Sequence, residues 1–156
     1  MERDSYLDGI RGAWLGELLG EAFFTALAER TDDESMRAAW RTLAELENVT
    51  GKKMAKLLEV NGEAAVTEES IEINEEILDQ YTKGNHLDSM QRLKDVVAKA
   101  IVRFDQLLAI APESDIQSVQ FLVQHEQALQ TFADREISGD HAHALDDAQA
   151  LIASAN

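Results

Sequence analysis

The chain contains no cysteine. That excludes disulfides, iron–sulfur clusters and thiolate zinc sites, and it agrees with a reducing, cytoplasmic setting. One proline and eight glycines in 156 residues are too few for a fold of many turns, so long uninterrupted helices are expected. Basic residues are also scarce: 14 Lys and Arg stand against 30 Asp and Glu, a formal charge of −16. Such a surface repels nucleic-acid phosphates and anionic lipid headgroups, so neither is an expected partner. No apolar run reaches the ~18 residues of a membrane span, and Asp8, Arg11, Glu17 and Glu21 interrupt the first one. The opening Met1-Glu2-Arg3-Asp4 does not read as a signal peptide.

What is present is a globular balance, 45% hydrophobic and 28% charged, in a length that suits one domain over residues 1–156. A first helix runs from about Ser5 to Arg30, and Thr31-Asp32-Asp33 stops it and caps a second that continues to about Val60. Asn61-Gly62 supplies a left-handed C-cap. Residues 61–84 form a connector with a short acidic helix expected from Thr67 to Tyr81, closed by Gly84. A third long helix spans about Asn85 to Ile110, and Pro112 breaks it and suits the first turn of a fourth that ends at Gly139. Asp140 is expected to cap a short fifth helix to about Ala153. Two tight hairpins joined by one long connector predict an all-α antiparallel four-helix bundle with a single crossover and an added C-terminal helix.

At 100° per residue, each long helix has an apolar stripe. Glu17 and Glu21 fall inside the stripe of Ile10, Ala13, Trp14, Phe24 and Ala28. Glu47 is central to the stripe of Met36, Trp40, Leu43, Met54 and Leu58, and Glu126 lies among Val119, Leu122, Leu129 and Ala133. His125 and Glu136 sit at the edge of that last face, whereas the third long helix (Met90, Leu93, Val97, Ile101, Phe104, Leu108) carries no acid on its stripe. At a rise of ~1.5 Å per residue, Glu17, Glu47 and Glu126 all lie roughly 20 Å from one end of the bundle, with Glu21 a turn away. Buried carboxylates must be protonated, paired with cations or bound to metal.

The segments Gly16-Glu17-Leu18-Leu19-Gly20-Glu21-Ala22-Phe23-Phe24, Trp40-Arg41-Thr42-Leu43-Ala44-Glu45-Leu46-Glu47 and His125-Glu126-Gln127-Ala128-Leu129 resemble the ferritin-like or rubrerythrin-like superfamily. The resemblance implies a ferritin-like bundle and a centre of iron, mononuclear or di-iron, or of manganese. Di-iron members of that superfamily draw one Glu from each of two helices and Glu-x-x-His from each of the others. Glu17 or Glu21 matches the first position, Glu47 the second and Glu126 a third, with His125 adjacent as a further ligand. Thr50 and Leu129 stand where that pattern has histidine, so the implied ligand set is rich in carboxylate.

Two functions follow. In one, Glu17, Glu21, Glu47, His125 and Glu126 bind metal for oxygen or peroxide chemistry or for iron handling. In the other, the bundle is metal-free and serves as an interaction or structural module, with Lys94 as counter-charge to the acids. Gly16 and Gly20, one turn apart, mark close helix packing. Leu15, Leu19, Ala22 and Ala26 form a second apolar stripe on the first helix, so a homodimer or larger even oligomer is expected. The acids of 68–79 read as a solvated face, and His141 and His143 as surface residues.

Overall fold

The computed structural model describes residues 2–66 and 70–155. Within them the chain is helical, with no strand. Six α-helices occur: α1 (Glu2–Arg30), α2 (Glu34–Val60), α3 (Glu75–Thr82), α4 (His86–Ala109), α5 (Ile116–Ser138) and α6 (Asp146–Ala155). Two 3₁₀ turns, Glu113–Asp115 and His141–His143, precede α5 and α6.

The local chemistry sets these boundaries. Asp33 accepts from the Met36 amide at 2.9 Å and Asn85 from the Leu87 amide at 2.8 Å, satisfying first-turn donors of α2 and α4. Gly62 at φ +81° and Gly139 at φ +86° end α2 and α5 in left-handed conformation, and the next amides, of Glu63 and Asp140, close back onto Leu58 and Arg135. Two expected boundaries are different. The connector helix begins at Glu75, because Asn74 folds its side chain onto the Ile77 amide as an N-cap, and residues 70–74 are not helical. The Thr67 start lies outside the described residues. Asp140 does not cap the last helix: its carboxylate faces His143 Nδ1 at 2.9 Å, and α6 starts at Asp146.

Contacts along the helices give their directions. Glu17 lies over Gly51 and Glu47 over Gly20, so α1 and α2 are antiparallel. Lys94 meets Asp134 and Phe104 meets His125, so α4 and α5 are antiparallel as well. Tyr6 donates to Asp115 and Glu17 meets His125, which sets α1 and α5 in one direction. The connector climbs beside α1: Arg11 binds Glu63 and the Ala64 carbonyl, and Arg30 binds Glu75 and Asp79 of α3.

The apolar core is in two parts. One, around Tyr6, Ile10, Met54, Phe104, Val119 and Leu122, fills the end where α1 begins. The other, around Phe24, Trp40, Leu43, Leu93, Leu129 and Phe132, fills the end covered by α3 and α6. Glu17, Glu47, His125 and Glu126 occupy the layer between them.

Candidate metal centre

Three helices deliver four side chains to that layer: Glu17 from α1, Glu47 from α2, and His125 with Glu126 from α5. All four are buried, and His125 has no exposed surface. Its Nε2 lies 3.0 Å from Glu17 Oε2, 3.2 Å from Glu47 Oε2 and 3.4 Å from Glu126 Oε1. Among the described residues, Glu17, His125 and Glu126 are the trio of ligand atoms lying within 4.8 Å of one another, and Glu47 adds a fourth atom from α2.

Glycines make this approach possible. A Cβ on Gly20 would stand 2.7 Å from Glu47 Oε1, and one on Gly51 would stand 3.3 Å from Glu17 Cβ. Each glutamate therefore lies over a glycine of the opposite helix, which lets α1 and α2 close around two carboxylates. Gly16 does not share this role, since nothing lies within 4 Å of the Cβ it would carry.

His125 Nδ1 is in short contact with the Leu122 carbonyl, its own helix one turn back. A carbonyl can only accept, so Nδ1 carries a proton, and Nε2 faces the carboxylates as a lone pair in the neutral ring or as a second N–H in the imidazolium. Glu17 Oε2, Glu47 Oε2 and His125 Nε2 are buried with no aligned hydrogen-bond partner among the described residues. The 3.0–3.4 Å separations are those of ion pairs when the imidazole carries a second proton, and they are poorly aligned for hydrogen bonds.

Without a cation, burial and the crowded carboxylate charges together favour protons at Glu47, His125 and Glu126. Burial, with the Glu17 charge beside it, pushes the Glu47 carboxyl well above the usual carboxylate range. Burial also pushes Glu126 up to about 7, opposed by His125 and Arg103 and reinforced by Glu47. Burial alone would lower His125, but the charges of Glu17 and Glu47 outweigh it and hold the imidazole well above its ordinary value.

The other expected residues lie elsewhere. Glu21 is half-buried and accepts from Asn48 Nδ2 at 3.1 Å, and it is not among the side chains contacting His125. Lys94 is not the counter-charge: it pairs with Asp134 at 2.7 Å on the exposed side of α4 and α5. Thr50 turns its hydroxyl back to the Leu46 carbonyl at 2.8 Å and offers nothing to the layer. Two residues at the edge of the α5 face are more deeply placed than periodicity suggests. His125 is the hub of the cluster, a position signalled only by its adjacency to Glu126. Glu136 is buried at the end of α5, between His86 at 3.2 Å and His141 at 2.5 Å, where it links α4 to the turn before α6.

A cavity of about 460 Å³ opens beside the centre, with Glu17, Glu47 and Glu126 in its wall and mostly apolar side chains beyond them. No protein-family model, curated protein or solved structure matches the chain.

Proposed function

We propose that the chain is a ferritin-like helical bundle whose Glu17–Glu47–His125–Glu126 layer binds a divalent transition metal, iron or manganese, for oxygen or peroxide chemistry or iron handling. The antiparallel pairs α1/α2 and α4/α5, with a connector climbing the length of α1, support a ferritin-like layout with one long crossover. One observation carries the metal reading: three carboxylates and one imidazole converge in a buried layer, no Lys or Arg ion pair to them occurs among the described residues, and three of the converging atoms lack any aligned hydrogen-bond partner there. Orphaned buried acceptors cost free energy, and a cation satisfies all of them at once. Three carboxylates and one imidazole suit iron(II) or manganese(II), and a backbone carbonyl accepting from the other ring nitrogen is a usual way to orient a metal-bound histidine.

In this reading Glu17, Glu47 and Glu126 would hold the metal through carboxylate oxygens and His125 through Nε2. A bound iron would supply the redox chemistry. The two apolar core halves shield the layer above and below, and the cavity is its approach from the side.

Metal analysis of protein purified from iron- or manganese-supplemented culture, followed by calorimetric titration of the stripped protein, tests this. Wild type should retain close to stoichiometric metal and gain melting temperature on loading, and Glu47→Gln should lose both effects. A wild-type melting curve that ignores iron and manganese would overturn the proposal.

The metal-free alternative rests on the raised His125 pKa: an imidazolium in the layer would itself be the counter-charge. Under that reading the chain is an interaction module, and Leu15 and Leu19, exposed on α1, are the face for a second copy in a homodimer. Sedimentation at micromolar concentration would then give a dimer regardless of metal.

A further inference from the structure

The chain exposes several large apolar side chains, and three of them share one location. Leu19 of α1 is 48% exposed, Ile77 of α3 45% and Val96 of α4 62%, and all three line the cavity of about 460 Å³ beside the carboxylates. The cavity arises from how the helices meet. Near its start α1 is tight against α4, where a Cβ on Gly9 would stand 2.6 Å from Leu107. Towards the other end α3 packs on both helices, and the space between them stays unfilled beneath Ile73 and Tyr81. A volume within the ~300–1,000 Å³ of small-molecule sites, an apolar wall and a rim of exposed aliphatic groups are the features of a ligand pocket, not of a packing defect.

We infer that this cavity binds an uncharged, predominantly hydrocarbon molecule, taken in between Leu19 and Val96 with one end against the carboxylate layer. The absence of charge follows from the inner wall. Among the described lining residues Arg103, over the Phe104 ring, is the one cation, against Glu17, Glu47, Glu72 and Glu126. An anionic head would therefore meet net negative charge, and a cationic head would compete with the metal instead of lying beside it. The apolar remainder buries against Phe23, Phe24 and Leu93, where each methylene removed from water contributes favourably. The inference names the substrate class of the proposed metal centre and takes its functional meaning from that reading, but binding of the ligand does not require metal.

The test is calorimetric titration of the metal-stripped full chain with 1-decanol, beside titration of the same samples with manganese(II). Gly16→Leu adds a side chain at the cavity wall where a Cβ meets no atom within 4 Å. Val97→Phe fills the space from α4 and guards against one variant misfolding; circular dichroism verifies both. Decanol is expected to bind wild type at one site and at least tenfold more weakly to each folded variant. No uptake by wild type, or equal uptake by all three proteins, overturns the inference whatever manganese does. Decanol binding without manganese binding would sink the metal reading and leave the ligand site standing. A mouth covered by a second copy of the chain would give a dimer that Leu19→Glu dissociates, with no decanol uptake, and this too overturns the inference.

Discussion

Glu126 shows how one side chain can tie stability to pH. Its folded pKa of about 7 lies above the ordinary carboxylate value of 4.5, so the folded protein binds the proton more tightly than the unfolded chain does. The stabilising contribution is therefore complete below about 4.5 and is lost as pH rises through about 7. His125, also raised, acts in the same direction, since its favourable protonated form is lost at higher pH. Metal-free protein should lose several degrees of melting temperature between pH 5 and pH 7.5, and Glu126→Gln should flatten that slope. Metal affinity should rise over the same interval, because ligands must shed protons to bind. Melting curves across pH, with and without manganese, measure both; a stability that rises with pH in the metal-free wild type would contradict the assignment.

At the scale of elements, the α1–α2 interface depends on glycine opposite glutamate. Gly20→Ala should keep the fold, because replacing an interior helical glycine favours the helix by roughly 0.5–1 kcal/mol and the clash falls on the flexible end of Glu47. The displaced carboxylate should nevertheless weaken metal binding about tenfold or more. Unchanged affinity, read by calorimetry, would mean that Glu47 is not a ligand. Element boundaries were legible where side chains act on their own backbone: Asp33, Asn85, Gly62 and Gly139 mark their positions in the sequence alone. The connector helix starts later than its sequence pattern suggests, because its acids continue a helical pattern through Asn74, which caps instead of propagating. Glu17, Glu47 and Glu126 were legible because an acid in the middle of an apolar stripe has nowhere else to point. Glu21 shares that stripe but is drawn aside by the Asn48 amide, and the inward aim of His125 follows from its contact with the Leu122 carbonyl. Neither can be read from periodicity. The cavity was illegible for a different reason: it is space between helices, and no residue pattern encodes it.

For the whole molecule, the layer of acids that parts the core has a consequence for how the protein opens. Each apolar half is held by its own contacts, and they meet across groups that, without metal, repel one another or must share protons. Such a seam favours sub-global unfolding in two cooperative units instead of one. Native-state hydrogen exchange on metal-free protein should give two plateaus of amide protection, one for the Tyr6–Met54–Leu122 half and another for the Trp40–Leu93–Phe132 half. A cation bound by Glu17, Glu47 and Glu126 ties α1, α2 and α5 together at the seam, so loading manganese should merge the two plateaus and raise the weaker one most. The centre would then act as the clasp that makes two separable foldons unfold as one.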